Sequence, residues 1–322
     1  SVQVPTPYPK LTEMEYFFDA DPGFWQGYPV EVIPDSLIDL VFAPDLTYLT
    51  QLGQHRLYAR VKDENNVWSL VYNQLLTVDL IANFETNTTT ILQNESVQFT
   101  NLSMGNITGW QWDFENDGII DSYEQNPEWF YTEPGEYSVL LTVSAGVSQN
   151  TYIRHDYIKV IPVQYLEIPA GWSGISSFIN PTNPEMEAVM DAISGELIIV
   201  KDIGDNIYWP EGGVNTLENW NSAKGYWVKM ENAADITFSG TRSLGGTLEL
   251  QAGWNLIPVW SECGIQVTDL FNIPQTIVVK SAAGYQLYWP EKGINTLGNL
   301  QPGKAYLVKL SENATIVFPE CD

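Results

Sequence analysis

The sequence predicts an all-β chain of tandem β-sandwich modules. Short apolar alternations recur along it, Gly, Pro, Asn and Asp punctuate them, and a block of roughly 80 residues occurs twice. The alternations are "HRLYARV", "SVQFTNL", "YSVLLTV", "YIKVIPV", "GYWVKM", "TIVVKS" and "AYLVKL". Each is the length of one strand, with every second side chain facing a core. Helical spacing is confined to "NPEMEAVMDAIS" (Asn183 to Ser194) and a shorter "VTDLFN" (Val267 to Asn272). In the first, Met186, Val189, Met190 and Ile193 follow the i, i+3, i+4, i+7 rule, with Asn183 placed to cap and Pro184 in the first turn.

The duplication is carried by three blocks in one order. "AGWSGISSFINP" at Ala170 returns as "AGWNLIPVWSEC" at Ala252. "YWPEGGVNTLENW" at Tyr208 returns as "YWPEKGINTLGNL" at Tyr288. "KGYWVKMENAADITF" at Lys224 returns as "KAYLVKLSENATIVF" at Lys304. A unit of this length is a small domain, not one turn of a solenoid. The expected division is therefore 1–80, 81–162, 163–244 and 245–322, the last two being copies of one β-rich domain with a short helix.

Composition bounds the function. The chain has 322 residues, 44% of them apolar, and its 14 basic against 40 acidic residues give a net charge of −26. Such a polyanion is repelled by nucleic-acid phosphates and by anionic membranes, so partners are expected among proteins and glycans. No apolar run is long enough to span a bilayer as a helix. The opening "SVQVPTPYP" has neither Met nor a signal-like segment, as expected of a mature secreted chain or of a trimmed one. Cys263 and Cys321 are the two cysteines; in a secreted chain they are expected to form one disulfide, the alternative being two separate thiols.

The stretch "WDFENDGIIDSYEQNP" (Trp112 to Pro127) holds the densest chemistry. Counting Asp113 as one, carboxylates fall at Asp113, Glu115, Asp117, Asp121 and Glu124, Gly118 stands at six and the Ile119 carbonyl at seven. This is the D-x-D-x-D-G spacing of an EF-hand calcium loop, with Glu at twelve. Alternate side chains on a tight loop converge, Gly allows the reversal, and the last Glu closes the shell. Glu115 departs from the usual Asp or Asn at three, and the flanks read as strand rather than helix. The expectation is a structural calcium ion; the alternative is an acidic solvated hairpin loop. The repeated "YWP" blocks supply aromatic candidates for stacking on sugars: Tyr208, Trp209, Trp220, Tyr288 and Trp289, beside Glu211, Asn215, Glu291 and Asn295. Duplication itself equally favours a packing role for these rings. No G-x-S-x-G, H-E-x-x-H or phosphate-binding loop occurs, so no enzyme is expected.

"VQFTNLS", "GWQWDF" and "NPEWFYTEPGEYSVLLTVS", in that order, resemble the polycystic kidney disease (PKD) domain, an Ig-like β-sandwich common on cell surfaces. The residues agree with it: Tyr137, Val139, Leu141 and Val143 alternate as one buried face, and Trp112 and Phe114 are expected in the core rather than at a ligand. "YFFDADPGFWQGYPV" with "LGQHRLYARVKDENNVWSL" resembles an Ig-like unit of bacterial surface proteins. The repeated pair resembles a domain of large proteins exported by the bacterial type IX secretion system, although that system's C-terminal sorting domain is not visible. Together these imply a secreted or cell-surface, non-catalytic protein acting in adhesion or as a structural component of an extracellular assembly. The alternative is a glycan-binding accessory protein of a polysaccharide-degrading system.

Overall fold

The structure, a computed structural model, describes residues 8–321; the Pro-rich opening through Pro7 lies outside them. The chain is predominantly β, its helices being single turns or little more. It divides into two compact units, one formed by 1–89, 96–130 and 136–159, the other by 90–95, 131–135 and 160–322.

In the first unit, residues 11–78 build one antiparallel sheet in the order Tyr28–Val30, Leu11–Phe18, Gly53–Asp63, Tyr72–Val78. Its register sets Glu15 directly opposite Arg60. The Arg60 guanidinium is buried: Nε donates to Glu15 Oε1 (2.5 Å), Nη1 to Asp21, and Nη2 to the Gly23 carbonyl. It also lies over the rings of Phe17 (5.0 Å), Phe24 (4.6 Å) and Trp68 (5.4 Å). A buried cation is tolerated because every face of it meets a carboxylate, a carbonyl or a π cloud. The same network holds the loop at Phe24 and Trp25, where Trp25 takes φ +60, a conformation that bulky residues avoid.

The region after residue 80 is a sandwich. One sheet contains Gly109–Asp113, Gly135–Ala145 and Ser148–Ile161 as successive neighbours; the other is ordered Glu128–Tyr131, Glu95–Asn101, Phe84–Thr86. The predicted alternation is realised, since Val139, Leu141 and Val143 are fully buried while Tyr137 is partly so. Trp112 and Phe114 are also fully buried, stacked with ring centroids 5.7 Å apart, and Phe99 packs on Phe114 at 4.6 Å. Burying rings of this size yields the larger part of a small sandwich's stability.

In the second unit the two copies form sheets of identical order. The first runs Gly171–Ile175, Tyr226–Met230, Leu197–Lys201, Ile207–Trp209, Val214–Asn215. The second runs Gly253–Ile257, Tyr306–Leu310, Thr276–Ser281, Leu287–Trp289, Ile294–Asn295. The helix expected over 183–194 is shorter: an α-turn at Met186–Met190 tightens into a 3₁₀ turn at Asp191–Ile193. Asn183 bonds the Glu185 amide in a local turn and does not cap the helix, but Met186, Met190 and Ile193 do face the core. Val267–Phe271 is the helix of the second copy. Cys263 and Cys321 form a disulfide, closing the last segment onto the second copy.

The copies clasp each other reciprocally. Gly225 N–H donates to the Leu256 carbonyl and Ala305 N–H to the Gly174 carbonyl, both at 3.1 Å. Gly225 and Ala305 occupy equivalent positions in the repeat, as do Gly174 and Leu256, so the two bonds are related by a pseudo-two-fold axis. A Cβ on Gly225 would come within 2.7 Å of the Ala305 Cβ, which explains why one of these two facing positions lacks a side chain. Ser176 Oγ donates to the Lys304 carbonyl (2.6 Å), and the indoles of Trp227 and Trp260 donate to the Ala282 and Ser222 carbonyls.

Candidate functional site

Three places hold chemistry beyond packing. At the acidic loop, Gly109–Asp113 ends with Asp113 buried, one oxygen accepting from the amides of Glu115 (3.3 Å) and Asp117 (3.2 Å), the other from Gly118 (2.9 Å). Asp117 Oδ1 accepts from the Ile119 amide (2.8 Å), and Asp121 Oδ2 from that of Phe114 (2.7 Å). Asn116 and Gly118 take positive φ to make the reversal. Burial, followed by the charges of Asp121, Asp117 and Asp113, raises the Glu115 carboxyl above its ordinary value. Asp121 is raised by burial and then by Asp113 and Asp117, against the Phe114 amide. Four of the five predicted carboxylates therefore feel one another. Glu124 is exposed and contributes its carbonyl to the Trp112 indole (2.9 Å), and Ile119 is exposed at the tip. Among the described residues, no three His, Cys, Asp or Glu side chains stand in a metal-holding arrangement.

The aromatic candidates lie in a different environment from the one expected of a sugar platform. Tyr208 and Tyr288 are buried at matching positions of the two cores, and Trp220 is buried against Tyr226 (4.4 Å) and Phe238 (4.8 Å). Leu300 fills the equivalent slot of the second copy. These three rings have no face for a sugar, because the duplicated domain uses them as core. Trp209 is 41% exposed, with its ring lying on Gly212. Trp289 is partly buried beneath the Lys292 ammonium.

The third place escaped sequence reasoning. On the outward face of the first copy, the register brings Trp172 beside Lys229 and Trp227 beside Lys201. Lys201 Nζ lies 5.4 Å from the Trp172 ring and 5.0 Å from that of Trp227, and Lys229 Nζ lies 5.9 Å from Trp172. The second copy repeats the pair as Trp254 and Lys309 (5.6 Å). The signal was present in the sequence as "AGW" and "VK" blocks shared by the copies. Only strand pairing shows that they meet.

The PKD-domain family profile matches residues 81–154. A solved PKD1 domain of Vibrio anguillarum Epp is 34% identical, covering 26% of this chain and 96% of that domain, with a TM-score of 0.22. A structure of carbohydrate-binding modules from the β-sandwich superfamily is 13% identical over 74% of this chain and 96% of its own, at a TM-score of 0.27. Three N-terminal domains of the bacteriophage RB49 outer capsid protein Hoc are 9% identical over 97% of this chain and 78% of theirs, at 0.21. No curated protein matches the chain. Among the described residues no helix is long and apolar enough to cross a membrane. Residues 81–154 are thus a PKD domain within the chain.

Proposed function

We propose that the chain is a non-catalytic extracellular protein that acts in adhesion or as a structural component of an extracellular assembly. The reciprocal clasp carries this reading: it fuses two copies of one domain into a single pseudo-symmetric body, an architecture suited to presenting surfaces rather than to enclosing a reaction. The PKD domain and the disulfide support an oxidising, extracellular setting. Export by a type IX system is part of the proposal; losing the chain from the surface of producing cells that lack the system tests it. A second reading, glycan binding, is favoured by the half-exposed Trp172 beside lysines.

Calcium belongs to the same proposal. The donor set suits a hard cation, since burial and, after it, the neighbouring carboxylates raise Glu115 and Asp121, and a divalent ion offsets both by favouring the charged forms. Asp113, Glu115, Asp117, Asp121 and Glu124, with the Ile119 carbonyl, would hold it, and the ion would stiffen the loop. The test is calorimetric titration of the full chain with calcium, with melts of the wild type and Asp117→Ala in calcium and in chelator. One equivalent bound, with a rise in melting temperature that requires Asp117, supports the site; overlaid melts and no heat leave an acidic hairpin loop.

A further inference from the structure

A cleft of about 560 Å³ opens between the two copies, and its walls are lined by Trp172, Ser281, Gln286, Asn299, Gln301 and Lys304, among others. The size is that of a small-molecule or oligosaccharide subsite. In a chain with 40 acidic residues, none of the described residues lining it is Asp or Glu. The amide groups of Gln286, Asn299 and Gln301 and the ammonium of Lys304 find no hydrogen-bond partner among the described residues. Trp172, at its mouth, keeps 46% of its surface exposed.

The duplication supplies an internal control. In the first copy Lys224 occupies the position of Lys304, and its ammonium meets Asp202 Oδ2 at 3.3 Å. Asp202 also takes the amides of Gly204 and Asn206 and the side-chain amide of Asn206. Strand pairing places Ser281 where Asp202 would be. The backbone is the same in both, Asp202 N–H donating to the Asn206 carbonyl and Ser281 N–H to the Gln286 carbonyl. One copy thus has an internal ion pair, while the other has Ser281 in place of the carboxylate and its lysine lines the cleft. Lys201 and Lys229, which sit over the Trp172 ring, also have no carboxylate partner among the described residues. Lys224, Arg242 and Lys292 of the same unit are paired, whereas Lys280 and Lys309 have no carboxylate partner among the described residues, so it is the missing carboxylate inside the cleft that marks Lys304.

We propose that this cleft binds a carboxylated saccharide, with Trp172 stacking on a sugar ring and Lys304 meeting the carboxylate. An aromatic face serves the C–H side of a pyranose, and the amides and the Ser281 hydroxyl serve its hydroxyl groups. The unpaired Lys304 ammonium selects an acidic sugar over a neutral one. A peptide of Asp and Glu alone would satisfy Lys304 but has no ring to place on Trp172. The chain's negative charge does not forbid this, because at physiological salt charges more than about 8 Å away are largely screened. The proposal rests on the adhesive reading and names its ligand class.

The test uses the full chain and trigalacturonic acid, with its methyl ester and a short poly-glutamate as comparison ligands, followed by calorimetry. Binding of the acid but not the ester is expected, weakening with salt. Lys304→Gln and Trp172→Ala should each reduce affinity by about tenfold or more. Ser281→Asp, which restores the carboxylate of the first copy, should abolish binding by pairing with Lys304. Lys224→Gln should leave it unchanged. Equal or tighter binding of poly-glutamate would make this a peptide surface and overturn the proposal. So would binding insensitive to Ser281→Asp, or no binding of trigalacturonate by a chain whose melt is intact. Adhesion of the same chain to cell envelopes would in that case keep the broader reading and discard only the ligand.

Discussion

Gly174→Ala is the sharpest probe of the clasp between the copies. Gly174 has ordinary backbone angles, so an Ala there carries no backbone strain and its cost is steric. The new Cβ would lie 2.4 Å from the Ala282 Cβ and 3.0 Å from the Ala305 carbonyl oxygen, while the Gly174 carbonyl holds the Ala305 amide. Neither neighbour is a flexible side-chain end, so the clasp itself must shift. Overpacking of this kind costs about 2 kcal/mol. For a unit of this size that is a fall of roughly 4–8 °C in melting temperature. Calorimetry of the full chain reads the fall, and hydrogen exchange at the Gly225 and Ala305 amides assigns it to the clasp. Ala282→Gly removes the closer contact and should restore most of the loss in the double mutant. A single mutant within about 0.5 kcal/mol of the wild type, or one that Ala282→Gly fails to rescue, would refute the packing argued here.

Three further outcomes are expected. Arg60→Ala strands Glu15, whose side chain is only 6% exposed, and should destabilise the first unit by about 3–5 kcal/mol in urea unfolding. Reduction of Cys263–Cys321, which spans 58 residues, should cost up to about 4 kcal/mol, read as a lower melting temperature of the second unit in reductant. Glu115 and Asp121 are raised in the folded state, so their contribution to stability is complete below the ordinary carboxylate range and lost as pH rises through the raised values. Without calcium, lowering the pH from neutrality toward that range should therefore raise the melting temperature of the wild type more than that of Asp121→Asn. An equal response in both would remove Asp121 from the account.

Local pattern decided what was legible. The PKD strands alternate cleanly, so the sequence alone assigns Val139, Leu141 and Val143 to the core, and the motif around them assigns Trp112 and Phe114. The duplication was equally open to inspection, because shared packing residues recur at nearly constant spacing. Helix length was not, since Met186–Met190 tightens into a 3₁₀ turn whose apolar face satisfies the same periodicity. The Arg60 network joins residues up to 45 positions apart, with no local signature. The YWP rings suit sugar stacking and core packing equally well by composition, and only burial separates the two. The exchange of Asp202 for Ser281 was hidden by one extra residue in the second copy's loop, which shifts the repeat there and keeps the two positions from lining up at a fixed spacing.

The most direct measurement is the force that detaches beads coated with the full chain from the envelope of the cells that produce it, with the surrounding medium assayed for newly released saccharide ends. The account predicts adhesion above that of albumin-coated beads, weaker in chelator, and no product release. Beads that detach as readily as the albumin controls, or adhesion accompanied by steady release of cleaved saccharide, would contradict a non-catalytic adhesive protein.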